Sequence, residues 1–392
     1  MTAPHPEFHE LTFVTERDEV TVGRPDIESY VTFPADGAEL LRRLMDGMET
    51  TAAARWYQET YGEPVDITDF LSTLDDCGFV RSEGEDTARL GTVRHQRLGR
   101  WLFSPPAWIV FAVLTAAGVV AMVREPQARP HPHAIFLADS LLLTQLVLLL
   151  GQIPGLLWHE MFHVLAARRL GVGSRMTVGR RMYFLVLETH LDGLLGVPSR
   201  RRYLPFTAGV LADVLLFSAL TVGAAADAAN GGLSWPGRVA LAFAFPTLFR
   251  IAWQFFFFLR TDLYYMVTTV LGCTDLHEAA TARLRRQWRW VPGVRPRPTD
   301  AGPWSPRDAA VARWYAPAMI GGVILLFGWA ALAIIPALVE FVTRVAAGLT
   351  GDGGTGLYFW DSIGSVTVIL AQFALPFLLP ARKSARREER TT

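Results

Sequence analysis

Lysine is all but absent from this chain: Lys383 is the only one, so nearly all of the 37 basic residues are arginine. The skew reads as a genome-wide composition bias. Cysteine is almost as scarce. Cys77 and Cys273 lie far apart in the sequence, which excludes a disulfide framework and a CxxC metal site. Charge is thin as well, at 19% of residues against 51% hydrophobic, where a soluble domain carries roughly 25%. The stretch Met1 to Gly23 has several acids and no apolar core, so it is not a secretory signal, and the first hundred residues are expected to stay in the cytoplasm.

Residues 1–92 are polar and read as a small soluble domain. Short strands are expected at Leu11–Val14, Glu19–Val22 and Tyr30–Phe33. Helical periodicity follows at Ala38–Met48, Thr51–Tyr61 and Ile67–Leu74. Asp66 is placed to cap the third helix, Gly78 to end it near Cys77, and a last strand falls at Phe79–Arg81. A β-rich start with a helical, winged-helix-like body is an α+β domain.

After Arg94, Arg97 and Arg100 the character changes. Apolar stretches occupy roughly 105–123, 134–167, 204–226, 237–259, 316–343 and 361–380, each near or above the ~20 residues needed to cross a bilayer. The expected fold class is therefore a mainly α-helical polytopic membrane protein of about six transmembrane helices. Arg168, Arg169, Arg175, Arg180, Arg181, Arg200–Arg202, Arg283, Arg285, Arg286, Arg289 and the tail Arg382–Arg390 would share the side of the N-terminal domain. The opposite loops hold only Arg124, Arg129, Arg238 and Arg344. By the positive-inside rule both termini are cytoplasmic and the protein is a multi-pass protein of the cell membrane. The second stretch carries Gly151 and Pro154. Breaking it into two spans would push Arg168–Arg181 outside, so one long kinked helix is expected. Residues 183–198 are too short to cross and suit a re-entrant hairpin, tolerable only where protein or a cavity surrounds it.

The chemistry concentrates at His159-Glu160-Met161-Phe162-His163. Histidines at i and i+4 of a helix share a face and can bind one Zn²⁺. The glutamate beside the first can act as general base for a water activated by the metal. Three ionisable residues in five positions of a membrane helix demand a reason. Gln145, Gln152 and His159 recur every seven residues, a polar stripe fit to face a wet cavity. A third protein ligand is needed to leave one position open. Asp262 is the choice, because the fourth stretch returns to the level of His159 just before it. Its bland alternatives are a helix cap or an ion pair with Arg260. Rival ligands are Asp192, His190, Asp213 and His277; among these Asp213 is the strongest, with a pairing or positioning role suggested by its apolar surroundings. His131 and His133 fall on the far side.

Together these residues resemble the site-2 protease class of intramembrane zinc metallopeptidases. The resemblance covers roughly residues 134–275. It implies zinc ligands at His159, His163 and Asp262, with Glu160 as the catalytic residue. Asp262-Leu263 stands where the family has Asp-Gly, and the upstream Asn and Pro cluster is missing. Gly209-Val210-Leu211-Ala212-Asp213 resembles the family's Gly-x-x-x-Asn element, with Asp213 in place of Asn. Residues 9–85 resemble PqqD-like peptide-recognition domains, on Val22-Gly23-Arg24, on Ala38 to Gly47 and on Asp69-Phe70-Leu71 through Cys77-Gly78-Phe79-Val80. That likeness implies capture of a ribosomally made peptide as an added strand beside Tyr30–Phe33.

The domain boundaries follow: 1–92 peptide recognition, 93–133 linker and first span, 134–275 metallopeptidase core, 276–315 basic cytoplasmic loop, 316–392 two further spans and tail. The expected activity is hydrolysis of a peptide bond in a peptide or membrane-protein substrate, in peptide maturation or regulated proteolysis. The alternative is a non-catalytic membrane chaperone or exporter partner for a modified peptide. Pro154 and Pro246 interrupt spans near the site and could loosen backbone for substrate entry or simply kink the helices. The run Arg283–Arg297 with Trp288 and Trp290 suits anionic headgroups at a bilayer surface and not nucleic acid. Gly351–Gly356 lacks a following helix and lysine, so it is no phosphate loop.

Overall fold

A three-stranded antiparallel sheet opens the computed structural model: β1 (Thr12–Glu16), β2 (Glu19–Arg24) and β3 (Ser29–Pro34), in that spatial order. The structure describes residues 6–16, 19–27, 29–82, 93–181, 184–291, 304–350 and 356–378, with single positions between 293 and 302. The basic tail at 382–390 and most of the glycine-rich run at 351–356 lie outside the described residues. The chain divides into two compact units. The first unites residues 1–100 with 165–175 and 190–203, and the second holds 101–164, 176–189 and 204–392.

In the first unit the strands follow their alternation. Val20 and Val22 face inward opposite Phe33 and Val31, whereas the Thr21 and Thr32 hydroxyls meet on the outer face. Helices α1 (Ala35–Met45) and α3 (Ile67–Asp76) cover the inner face, and α2 (Thr50–Tyr61) packs on α1 through Ala53 against Leu40 and Leu44. Ala38, Leu41, Leu74 and Phe79 complete the core with Val20, Val22 and Phe33. The first helix starts three residues before the expected Ala38, because Pro34 precedes it with φ −57° and Asp36 sits in its first turn. It stops short of Met48 where Gly47 takes φ +98°. Asp66 caps α3 as expected, its carboxylate accepting from the backbone N–H of Thr68 and Asp69. The last strand is reduced to a single bridge, Phe8 to Val80.

This unit also contains the end of α6 (Leu141–Arg169) and a one-turn 3₁₀ helix, Asp192–Gly196. The Tyr30 ring lies over Gly23 and against Gly193 and Gly196, and Glu16 accepts hydrogen bonds from the Ser199 N–H and Arg202. Helix α4 (Gln96–Leu102) crosses α6 at Gly99, where a Cβ would stand 2.3 Å from the Leu165 carbonyl oxygen. Backbone cannot yield as a side chain can. Gly99→Ala is therefore expected to destabilise by about 1–2 kcal/mol, overpacking outweighing the gain in helix propensity. Thermal unfolding in detergent checks this, and an unchanged midpoint would refute the close crossing.

The second unit is mostly helical. It comprises α5 (Pro105–Arg124), most of α6, nearly all of the paired strands β4 (Arg175–Arg181) and β5 (Phe184–His190), α7 (Ser199–Ala228) from Leu204 on, α8 (Trp235–Trp253), α9 (Asp262–Leu271), α10 (Leu276–Gln287), α11 (Pro306–Thr350) and α12 (Leu357–Leu378). Five helices are long and apolar enough to cross a membrane: α5, α6, α7, α11 and α12. The expected sixth, α8, falls short of them because its nineteen residues include Arg238 and Arg250. The second apolar stretch is one helix, with Pro154 inside it. That helix begins at Leu141 and not at 134, because Asp361 of α12 accepts from the Leu141 and Leu142 N–H groups and from the Ser140 hydroxyl. The hairpin expected over 183–198 lies earlier. Its strands are Arg175–Arg181 and Phe184–His190, and the 3₁₀ turn follows. The arginine-flanked segment Arg175–Arg181 is a strand: it carries β-branched Thr177 and Val178 and pairs with the apolar β5.

Candidate metal centre

His159 and His163 stand one turn apart on α6, both buried, with Nε2 atoms 3.2 Å apart. Asp262, the first residue of α9, brings Oδ2 to 3.2 Å from His159 Nε2 and 3.3 Å from His163 Nε2. These three residues form the group able to hold a metal ion among the described residues. Donors bound tetrahedrally at about 2.0–2.1 Å stand ~3.3 Å from one another. The triangle thus matches one face of such a tetrahedron.

The backs of both rings are held by oxygen. His163 Nδ1 lies 2.7 Å from the Pro205 carbonyl, which can only accept, so Nδ1 is the donor there and Nε2 turns to the other two residues. His159 Nδ1 lies 2.9 Å from Asp213 Oδ2, with the same consequence. Packing fixes the roll of α6: Phe162 is fully buried against Trp158, Phe103 and Phe111, and the Trp158 indole donates to the Ala212 carbonyl. Helix α7 presses close to the rings through Gly209. A Cβ there would lie 2.2 Å from His163 Nε2 and 2.3 Å from His159 Nε2.

Asp262 is placed by the turn before it. After α8 the chain makes a short 3₁₀ turn, takes a left-handed conformation at Arg260 and enters α9 with Thr261 as N-cap. Gln254 clamps the aspartate twice. Its amide donates to Asp262 Oδ2 at 2.9 Å, and its carbonyl accepts the Asp262 N–H at 3.0 Å. Arg260 pairs with Glu278 instead, which disposes of the simple ion-pair role for Asp262. Glu160 is buried beside His159, and the Thr189 hydroxyl of β5 donates to its Oε2 at 2.6 Å.

Asp213 is fully buried and sits behind His159, outside the donor triangle. Arg250 of α8 grips it with two hydrogen bonds, Nε to Oδ2 at 2.9 Å and Nη2 to Oδ1 at 2.6 Å, and reaches Gln152 at 3.5 Å. His277 packs its ring against Tyr264, away from the donors, and burial with Arg260 and Arg285 nearby pushes its imidazole down to about 4. His190 ends β5 exposed, His131 and His133 pair with each other, and the Asp192 side chain lies outside what the structure describes. Arg250, Gln254 and Thr189 escaped the sequence reading. Only Arg250 had a usable signal there, an arginine within an apolar run.

No family model matches the chain, and neither does any curated protein or solved structure.

Proposed function

We propose that this protein is a zinc-dependent intramembrane peptidase that hydrolyses a peptide bond in a peptide or membrane-protein substrate. The observation that carries this reading is the His159, His163 and Asp262 triangle with Glu160 on the same helix. Zinc bound there would supply Lewis-acid polarisation of a water and of the scissile carbonyl. Glu160 acts as the general base. It takes a proton from the attacking water, whose oxygen bonds to the carbonyl carbon. As the C–N bond breaks, Glu160 returns a proton to the leaving nitrogen. Thr189 fixes one carboxylate oxygen and leaves the other to carry that proton.

In this reading α8 crosses the bilayer with the five apolar helices, its Arg250 neutralised by Asp213, and both termini face the cytoplasm. The N-terminal domain delivers substrate by adding it as a strand to β3, which has one neighbour in its sheet.

The test is metal content. Wild type, His163→Ala and Asp262→Ala, purified in detergent, are compared by mass spectrometry. About one zinc per chain is expected in wild type, with a fall below a tenth of that in both variants. Full zinc in Asp262→Ala would remove Asp262 from the site. A well-folded wild type without zinc would overturn the peptidase and favour a non-catalytic peptide-binding membrane chaperone.

A further inference from the structure

The four ionised side chains around the site are unequal in kind. Glu160, Asp213 and Asp262 are carboxylates, Arg250 is the one cation, and both histidines count as neutral because a ring that ligates a metal must give up its Nε2 proton. Among the described residues none of the four has a charged partner outside this group and the two histidines. Three negative charges and one positive leave a formal charge of −2. Glu160 and Asp213 sit on helices long and apolar enough to cross a membrane, and Arg250 and Asp262 reach side chains of those helices, where uncompensated charge is heavily penalised.

From this balance we infer that Arg250 sets the charge of the metal site: with Asp213 it forms a net-neutral pair behind His159, so the remaining Glu160 and Asp262 match a divalent cation. This rests on the metal-site reading above and adds to it a specificity-determining residue that never touches the ion. Asp213 does two things at once. It receives the His159 Nδ1–H and it cancels the guanidinium, and the two contacts use the same Oδ2.

Opposite consequences follow for the two members of the pair. Asp213→Asn keeps an acceptor for His159 but strands the Arg250 cation behind the ring, leaving only −1 for the ion. Removing Arg250 in that background returns the site to −2. A residue with a merely structural role would make matters worse when removed second; here removal is expected to rescue.

The experiment titrates wild type, Asp213→Asn, Arg250→Gln and the double variant with Co²⁺ against a competing chelator in detergent, reading the visible absorption of the bound ion. Asp213→Asn is expected to bind about 10–100-fold more weakly than wild type, the usual loss when a carboxylate behind a ligating histidine is changed. The double variant should recover at least tenfold of it. Arg250→Gln alone should bind at least as tightly as wild type, and this arm stands even where Asp213→Asn does not fold. No rescue in the double variant, or weaker binding by Arg250→Gln, overturns the charge-matching role while leaving the metal site intact. A wild type that takes up no Co²⁺ overturns both.

Discussion

Glu160→Gln is expected to keep its metal and lose turnover by about 10²–10⁴-fold, the span associated with a positioned general base. The amide preserves the size of the side chain, and its carbonyl can still accept from the Thr189 hydroxyl, so the buried packing beside His159 survives. What it loses is the ability to take a proton from water. The comparison is between cells expressing wild type and variant, with new peptide termini in membrane and peptide fractions identified by mass spectrometry. Termini that depend on wild type and vanish with the variant, at equal zinc content, are the expected result. The same termini in both would sink the proposed mechanism.

Gly209→Ala should empty the metal site without unfolding the protein. The new Cβ would stand 2.2–2.3 Å from both Nε2 atoms, far inside contact distance, so a ring must move. Neither ring can turn aside freely, because the Pro205 carbonyl and Asp213 hold their Nδ1 sides. Alanine is the better residue for a helix interior by about 1 kcal/mol, which favours the folded α7. Local strain at the donors and a small gain in the helix therefore oppose each other in different observables. Zinc below a tenth of wild type, with a melting temperature of the metal-free protein close to wild type, is expected. Full zinc in this variant would show that α7 does not approach the histidines so closely.

The N-terminal strands and helices were readable because local signals agree with the packing. Val20, Val22 and Phe33 alternate as a half-buried sheet should, and Ala38, Leu41 and Leu44 recur at helical spacing. Element ends were less readable, since Pro34 and Gly47 shifted α1 by three residues at each end. The strand pair at 175–190 was misplaced because its first half looks like a charged loop.

The sequence by itself determined that this chain is rich in bilayer-length apolar helices, that a histidine pair with a glutamate lies one turn apart on one of them, and that a small α+β domain precedes them. Each follows from periodicity and composition within a short window. Only the tertiary structure decided that Asp262 completes the donor triangle while Asp213 stands behind His159, that Gln254 and Arg250 hold these two carboxylates, and that Gly209 makes room for the rings. Apart from Gln254, which lies 8 positions before Asp262, those relations join residues at least 37 positions apart. Spacing along a chain carries no information about which of several buried acids meets a given nitrogen; packing of α6, α7 and the turn before α9 does.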